Sequence, residues 1–253
     1  FRPELVRRQT IVERYLVALL VEKSNYFILK EAMRYSLLAG GKRLRPVLVM
    51  SFSEAVGGPV DEVLPAACAI ELVHTYSLIH DDLPCMDNDD YRRGKLTCHK
   101  AYGEDIATLA GDALQAAAFR LLAEQPGDPA KILRCVHILA QGAGEDGMVA
   151  GQILDLRGEK QMLDETELRE VHAHKTGDLI RAACQMGAVL GGGSESQIQA
   201  AGEFAMALGM AFQIRDDMLD EIGSRRHLGK PIGSDLANGH STFITIHGLQ
   251  ECT

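Results

Sequence analysis

The sequence has few aromatic residues, no excess of basic residues and no cysteines at metal-ligand spacing. Aromatic residues make up 5% of the 253 residues, and no segment sustains the apolar–polar alternation that is typical of half-buried strands. Lysine and arginine number 26 against 35 acidic residues, which gives a net charge of −9. Because a protein that neutralises many phosphates usually has a basic face, we expect no nucleic-acid partner.

The cysteines and the apolar segments indicate the compartment. The six cysteines form no CxxC pair, which is typical of reduced thiols in a cytoplasmic protein rather than of a disulfide framework. No charge-free apolar run reaches the roughly 18 residues that a membrane span requires. The chain starts at Phe1 without a methionine and stops at Thr253 just after an apolar stretch. We therefore expect both termini to be incomplete, and the sequence leaves targeting open.

Helical signals are abundant, and 46% of the residues are hydrophobic, enough for a sizeable core. The candidate helices cover 27–39, 43–56, 60–81, 104–124, 129–158, 165–190, 195–221 and 234–249. We expect the fifth to break near Gly142–Gly147. Capping boxes at Asp164 and Ser194 mark two helix starts. The sequence therefore predicts an all-α fold in a single domain over residues 1–253.

One acidic cluster lies in the segment FQIRDDMLD, residues 212–220. At about 100° per residue, Asp216 and Asp220 lie on one face of a helix, and Gln213 lies one turn upstream. A lone DDxxD is usually a solvated acidic face. Here the preceding run AMALGMAFQI is apolar, so we expect this helix to be buried, and buried carboxylates must be paired or bind a cation.

The first acidic cluster in the chain lies in LIHDDLPCMDNDDYRRG, residues 78–94, and the cluster at 212–220 is therefore called the second. Asp81 and Asp87 would lie about 240° apart on a straight helix, but Pro84 must kink, bulge or end the helix between them. That distortion could bring Asp87 back beside Asp81 and Asp82. Crowded carboxylates need a cation to remain charged, and Mg²⁺ binds one or two carboxylates together with substrate phosphates. The two clusters therefore predict the two walls of a metal–diphosphate site.

Basic residues accompany the acidic ones. The segment AGGKRLRP, residues 39–46, places Gly41, Lys42 and Arg45 at the start of a helix, and helix N-termini and arginines both favour phosphate oxygens. Arg92 and Arg93 directly follow the cluster at 81–90. His74 lies about 20° from the face of Asp81, although an isolated histidine on an apolar segment is more often a satisfied core residue.

Six ordered motifs resemble those of the trans-isoprenyl diphosphate synthases, and more narrowly the bacterial farnesyl and plant-type geranylgeranyl diphosphate synthases. They are GGKRLRP, HTYSLIHDDLPCMDNDDYRRG, GMVAGQILD, HKTG, FQIRDDMLD and LGKPIGSD, and the similarity runs from about Leu29 to Gly248. It implies a helical bundle with a central active-site cavity, a homodimer, and three Mg²⁺ ions bound with the substrate diphosphate. The implied substrates are isopentenyl diphosphate and an allylic diphosphate, dimethylallyl or geranyl.

The resemblance also implies roles for individual residues. The resemblance implies that Mg²⁺ is ligated by Asp81, Asp87 and Asp216. Four further carboxylates would bind the metal directly or through water: Asp82, Asp155, Asp220 and Asp235. The allylic diphosphate is bound by Arg92, Lys175 and Lys230, and the isopentenyl diphosphate by Lys42, Arg45, His74 and Arg93. The allylic carbon is lined by Gln152, Thr176 and Gln213. The sequence departs from the family pattern at His240, where a second clamp lysine is usual, and a neutral imidazole there would weaken closure over the diphosphate.

The helix before the first DD pair is expected to set the product length. Tyr76 and Ser77 lie about 6–7.5 Å down the helix axis from Asp81, deeper along the growing hydrocarbon tail. An aromatic floor at this position resembles the bacterial farnesyl synthases and predicts a C15 product, with C20 as the alternative. The competing interpretation is that Tyr76 only packs in the core.

Two other functions share part of this pattern. A terpene cyclase would have the first aspartate cluster, but it would normally have an Asn/Ser/Glu metal motif instead of DDMLD and would lack Lys42 and Arg45. A regulatory subunit of a heteromeric prenyl synthase tends to lose one aspartate motif, whereas both are present here. An assay with isopentenyl and dimethylallyl diphosphates separates the three functions.

Overall fold

The structure, a computed structural model, describes residues 2–20, 27–158, 161–222 and 241–248, without the side chains of 220–222. These residues are mostly helical, and the strands are limited to one short hairpin, which confirms the all-α prediction. The α-helices are α1 (Arg2–Leu19), α2 (Phe27–Leu37), α3 (Leu44–Ala55), α4 (Leu64–Asp81), α5 (Cys98–Tyr102), α6 (Glu104–Ala123), α7 (Pro129–Ala143), α8 (Met148–Gly158), α9 (Glu165–His172), α10 (Asp178–Leu190), α11 (Glu195–Ile222) and α12 (Phe243–His247). A π-helix, Ala173–Gly177, joins α9 to α10, and a short antiparallel hairpin pairs β1 (Tyr91–Arg92) with β2 (Lys95–Leu96).

The chain divides into two compact units. Unit 1 consists of Phe1–His137 and Ala183–Ile198, and unit 2 consists of Ile138–Ala182 and Gln199–Thr253. The first acidic cluster and the GGKRLRP loop belong to unit 1, and the DDMLD and HKTG motifs belong to unit 2. The single domain over residues 1–253 stays a prediction.

Helix α4 forms the centre of unit 1. It packs mainly along α6 and α3, and most of its side chains are buried, as expected for a helix that is apolar nearly all round. The α6 backbone approaches it closely at Gly111, where an added Cβ would lie 2.1 Å from Nε2 of His80. The same ring nitrogen lies 3.1 Å from the carbonyl of Thr108. The end of α4, where Asp81 lies, is therefore fixed against α6.

Unit 2 contains the breaks that the sequence partly predicted. The predicted helix 129–158 is two helices, α7 and α8, separated near Gly147 as expected. The predicted helix 165–190 is helical throughout, and no signal in the sequence indicates the π-helical segment that separates α9 from α10. Of the predicted helix 234–249, residues 243–247 are helical as α12, and residues 234–240 lie outside the described part. Both predicted capping boxes are present, at Asp164 and Ser194.

Within the described ranges, one helix has the length and composition of a membrane span. This helix is α6, with a mean hydropathy of 1.2 over its most apolar window. It packs against α4, α2 and α5, and the core helix of a globular unit passes the same test. The helix is therefore weak evidence for a membrane span.

Candidate active site

The first acidic cluster forms a tight turn at the end of α4. The helix ends at Asp81, and the backbone N–H of Asp87 donates to the Asp81 carbonyl at 2.8 Å. Asn88 has a left-handed backbone with φ 53°, which asparagine tolerates better than most residues. Pro84 thus ends the helix, and the turn returns Asp87 beside Asp81 as the sequence predicted.

Asp82 and Arg92 form a buried ion pair inside the same unit. Asp82 is 3% exposed, and Nε of Arg92 donates to its Oδ1 at 2.9 Å. Burial raises the pKa of Asp82, and the Arg92 guanidinium offsets part of that rise. Arg92 occupies acceptor positions on both Asp82 oxygens, which leaves fewer lone pairs for a direct metal contact. This contact therefore favours the water-mediated role for Asp82 rather than the direct one.

The glycine loop before α3 lies against Arg93. Gly40 and Gly41 have φ values of +92° and +131°, a region that side chains rarely enter. The Arg93 guanidinium donates to the Gly40 carbonyl, and a Cβ on Gly41 would lie 2.7 Å from Cζ of Arg93. The absence of a side chain at Gly41 thus lets the Arg93 guanidinium lie against the loop. The next residue, Lys42, is exposed, and its carbonyl accepts a hydrogen bond from Gln9.

Two guanidinium groups and one imidazole lie near one another beside this loop, those of Arg45, Arg93 and His74. Burial and the nearby Arg45 and Arg93 lower the pKa of His74 well below its usual value, so its imidazole is neutral near pH 7. Burial also lowers the pKa of Arg45. The Nε atom of Arg45 is buried and has no hydrogen-bond partner within the described ranges. An unsatisfied buried guanidinium N–H is costly, and an anionic ligand would satisfy it.

We expect Gly41→Ala to weaken this cationic group. The added methyl would displace the Arg93 guanidinium, so the KM for the diphosphate substrate expected from the sequence should rise about tenfold, the value of one lost charge-assisted hydrogen bond. Gly40→Ala is the matched control, because it introduces similar backbone strain but meets nothing within 4 Å. Steady-state kinetics of both variants measure the effect, and equal KM values would contradict it.

The product-length residues lie on α4 as predicted. Tyr76 is 6% exposed, and its ring meets that of His80 edge-on at 5.7 Å between centroids. Its hydroxyl neighbours Gln115 of α6 but makes no hydrogen bond of good geometry with a described residue. Ser77 is half-buried and donates to the His74 carbonyl at 3.0 Å. The floor role of Tyr76 stays a prediction.

In unit 2, the π-helix carries Lys175 and Thr176. Short π-helices often mark functional sites. The α8 backbone approaches this one so closely that a Cβ on Gly151 would lie 2.1 Å from the Lys175 backbone nitrogen. Lys175 Nζ donates to Asp155 Oδ2 at 2.5 Å, and Thr176 donates to Gln213 Oε1 at 3.1 Å. The structure thus brings together two pairs of residues that the sequence assigned to the site.

Gln152 adds a polar group without a partner to this unit. It is half-buried, and its Nε2 atom makes no hydrogen bond to the described residues. It directly follows Gly151 on α8 and precedes Asp155 by one helical turn. An unpaired buried amide of this kind is consistent with a residue that faces a ligand.

The second acidic cluster is less buried than the sequence suggested. Asp216 is exposed on α11, while Met218 is buried. The expectation that this helix is buried was therefore wrong at Asp216, because the apolar run upstream covers only part of the helix surface. The side chain of Asp220 lies outside the described part, as do Lys230, Asp235 and His240.

The sequence analysis missed Asp217. The Asp217 carboxylate accepts the Phe243 backbone N–H at 2.8 Å, at the start of α12. The Phe243 ring is 2% exposed and lies 5.4 Å from that of His172, the residue before the π-helix. Burial lowers the pKa of His172 to about 4, so this ring is a neutral packing partner. Asp217 therefore connects α11 to α12, and α12 contacts the element that leads to Lys175.

We expect Asp217→Ala to destabilise unit 2. It leaves the Phe243 N–H unpaired, which costs about 1–3 kcal/mol of unfolding free energy, and should speed amide exchange at Phe243. Asp217→Asn is the control, because its amide oxygen still accepts this hydrogen bond. Denaturant unfolding with hydrogen exchange measures both effects. Equal losses of stability in the two variants would rule out the anchoring role.

The described residues contain donors suited to magnesium without a preformed cage. No group of three or more His, Cys, Asp or Glu side chains within the described ranges is arranged to hold a metal. Mg²⁺ usually binds through one or two carboxylates, waters and substrate phosphates rather than an all-protein cage. Asp81 and Asp87, brought together by the turn, are such a pair of oxygen donors. The donor set therefore fits a magnesium ion that the substrate helps to bind.

Comparisons with known proteins identify the family to which the chain is similar. The polyprenyl synthetase family model matches residues 27–253. The chain is 51% identical over 224 residues to the farnesyl diphosphate synthase of Geobacillus stearothermophilus, covering 87% of this chain and 75% of that protein. It is 49% identical over 228 residues to the heterodimeric geranylgeranyl pyrophosphate synthase large subunit 1, chloroplastic, of Arabidopsis thaliana, covering 87% of this chain and 62% of that protein.

The fold is also similar to a solved structure with ligands. Helicobacter pylori geranyltransferase complexed with magnesium and isoprenyl diphosphate matches with a TM-score of 0.86 at 35% identity, covering 99% of this chain and 86% of that one. The family model covers most of the chain, and the motifs that the sequence analysis singled out fall within it. The chain therefore belongs to the polyprenyl synthetase family.

Proposed function

We propose that this chain is a prenyltransferase that condenses isopentenyl diphosphate head-to-tail with an allylic diphosphate to give all-trans farnesyl diphosphate. The observation that carries the proposal is the buried, unpaired Nε of Arg45 beside Arg93 and the neutral His74. Such a group needs an oxyanion with several acceptor oxygens. A terpene cyclase binds no second diphosphate and would leave Arg45 unsatisfied, so this observation disfavours the cyclase.

In unit 1, the proposed isopentenyl site is the loop at 40–45 together with Arg93 and His74. Lys42 is exposed and contributes a mobile ammonium, whereas Arg45 and Arg93 contribute planar guanidinium groups that match diphosphate oxygens. The neutral His74 ring can donate one N–H without adding charge to this group. These contacts would hold isopentenyl diphosphate by its diphosphate and leave its double bond free to react.

The proposed allylic site uses cations that are already paired with carboxylates. Arg92 is held by Asp82, and Lys175 is held by Asp155. Each pair limits the repulsion between like charges while the substrate is absent. When bound, magnesium would neutralise charge on the leaving diphosphate, normally a large catalytic contribution; Asp81 and Asp87 in unit 1 would hold it, and Asp216 in unit 2 is a further proposed ligand. Arg92 and Lys175 would then exchange their carboxylate partners for diphosphate oxygens.

Bond breaking leaves positive charge on the allylic carbon. Thr176 and Gln213 form a hydrogen-bonded pair whose oxygens can face that charge, and Gln152 adds a third polar group. The isopentenyl double bond attacks the cation, and loss of a proton then restores an alkene. No side chain in the described part of the chain stands out as the base, so we assign the proton to the departing diphosphate. Apolar walls would exclude the water that would otherwise trap the cation.

The product length depends on α4. A buried tyrosine five residues before Asp81 supports a C15 product, because its ring would block a longer tail. A C20 product is the second candidate, since the chain is about as similar to the Arabidopsis geranylgeranyl synthase subunit as to the Geobacillus farnesyl synthase.

We further propose a reducing compartment, the cytoplasm, and a homodimer. Of the described cysteines, Cys85 is exposed and the others are buried, and all are free thiols. Burial raises the pKa of Cys135 and Cys184 to about 12, so these thiols are unreactive. Fractionation tests the compartment, and light scattering of the purified chain tests the dimer.

Product analysis tests the proposed function. The chain is incubated with Mg²⁺, isopentenyl diphosphate and either dimethylallyl or geranyl diphosphate, and the dephosphorylated products are separated by chromatography. We expect farnesol as the main product. A cyclic hydrocarbon formed from an allylic diphosphate alone would indicate a cyclase, and no product with any pair of substrates would indicate a regulatory subunit.

A further inference from the structure

Arg43 has no role in the proposed chemistry, although it lies between Lys42 and Arg45. It is 2% exposed, and its side chain turns away from solvent into unit 1. A buried arginine inside a phosphate-binding loop is either a ligand contact or a support for the loop. Its partners decide between the two.

All three nitrogens of the Arg43 guanidinium donate hydrogen bonds to acceptors of the protein. Nε donates to Glu13 of α1 at 2.6 Å, Nη1 donates to Glu71 of α4 at 2.7 Å, and Nη2 donates to the Leu37 carbonyl at the end of α2 at 2.7 Å. Only arginine has a planar fork that can reach three such acceptors at once. Arg43 therefore ties the loop to three helices and leaves little capacity for a diphosphate.

The Arg43 backbone shows the same constraint. Its φ of 46° lies in the left-handed region, which is unfavourable for a long side chain and persists only when the surroundings hold it. This conformation begins α3, whose N-cap is Arg43 itself. The backbone turn and the side-chain contacts together determine the direction in which the loop presents Lys42 and Arg45.

Glu71 connects this support to the cationic group. It is 2% exposed on the otherwise apolar α4, one helical turn before His74. Burial lowers the pKa of both Arg45 and Arg93, and the Glu71 carboxylate opposes that effect at both residues. Glu71 therefore acts as a buried counter-charge for the cations beside the loop.

We infer that Arg43 and Glu71 are positioning residues of the isopentenyl site: their buried ion pair, with Glu13 and the Leu37 carbonyl, fixes the loop that presents Lys42 and Arg45. The inference rests on the proposed function for the identity of the ligand. It assigns no ligand contact to Arg43. The pair should therefore affect the isopentenyl substrate and leave the allylic substrate almost unaffected.

Arg43→Lys is the first test. A lysine keeps the charge but cannot reach all three acceptors, so we expect the KM for isopentenyl diphosphate to rise about tenfold. The KM for the allylic diphosphate and kcat should stay within about twofold, a split that general loss of stability would not produce. The control is Arg7→Gln, which removes an exposed pair between Arg7 and Glu4 on α1 and should change neither constant. An unchanged isopentenyl KM in Arg43→Lys, or equal rises for both substrates, would overturn the inference.

A double variant separates positioning from stability. Replacing a buried ion pair by apolar residues often preserves stability, so Arg43→Met combined with Glu71→Leu should fold with a melting temperature near that of the wild type. We expect its isopentenyl KM to stay raised by about tenfold or more. A variant in which melting temperature and KM both return to wild-type values would show that the pair only stabilises the fold, and would overturn the inference.

Direct binding keeps this test independent of turnover. Calorimetric titration of isopentenyl diphosphate into the wild-type chain and Arg43→Lys should give about tenfold weaker binding by the variant. This binding difference can be measured even if the wild-type chain forms no prenyl product. A lack of product would count against the proposed function but not against the positioning role. Equal affinities in the two proteins would overturn the inference alone.

Discussion

Asp81→Asn is expected to lower kcat on the order of a thousandfold. The substitution keeps the size of the side chain but removes the negative charge of a proposed magnesium ligand at the end of α4. Metal stabilisation of a leaving group amounts to several kcal/mol, and each ~1.4 kcal/mol corresponds to a tenfold change in rate. Asp87→Asn should have a comparable effect, because the turn holds its backbone against that of Asp81. Product formation at saturating substrates and Mg²⁺ measures the loss.

The control for this prediction is Asp90→Asn. Asp90 belongs to the same acidic segment but is exposed and pairs with Lys100 at 2.8 Å, away from the proposed ligands. We expect it to keep activity within about twofold of wild type, since exposed ion pairs contribute little. Circular dichroism checks that both variants fold. Equal activity in Asp81→Asn and Asp90→Asn would mean that the cluster is only a solvated acidic face.

Tyr76→Ala is expected to change the product from C15 to C20 and longer chains. The ring is almost fully buried between α4 and α6, so its removal leaves a space that a further five-carbon unit can enter. Loss of a buried aromatic ring costs about 3–5 kcal/mol of unfolding free energy, so the assay is run well below the melting temperature. Chromatography of the dephosphorylated products gives the chain-length distribution.

Tyr76→Phe is the matched variant. It keeps the ring and removes only a hydroxyl that makes no hydrogen bond of good geometry within the described part of the chain. We expect it to retain the C15 product. If Tyr76→Ala also keeps the wild-type distribution, Tyr76 is a packing residue of the core and another group limits the chain length.

Much of the fold followed from the apolar pattern. Helix α4 was predictable because its residues are apolar on nearly all sides, and the turn after it followed from Pro84. Helix α1 was not predicted, because its buried positions are only Arg8, Val12 and Leu16, and the first of these is charged. Arg8 is buried through contacts with Glu4, Ser51 and Glu54, which depend on helices that are distant in the sequence.

The candidate site was predictable where the functional residues lie close together in the sequence, within short motifs. The DDLPCMD turn followed from Pro84 between the aspartates. Thr176 and Gln213 were found through recognisable motifs, but the hydrogen bond between them was not predicted. The supporting residues were not predictable in the same way. Glu71 is a single charge in an apolar run, and Asp217 lies about 100° from Asp216 on the helix, where its partner is 26 residues away. The π-helix was not predicted, because a change from i→i+4 to i→i+5 hydrogen bonding over only five residues leaves no periodic signal in the sequence.

The most direct test of the account is to locate the metal. The chain is crystallised with Mn²⁺ in place of Mg²⁺ and an unreactive thiodiphosphate analogue of the allylic substrate, and the ions are found by anomalous scattering. We expect ions within roughly 2.0–2.3 Å of carboxylate oxygens of the proposed ligands, which are Asp81 and Asp87 in unit 1 and Asp216 in unit 2. Diphosphate bound without metal, with these carboxylates facing bulk solvent, would contradict the account.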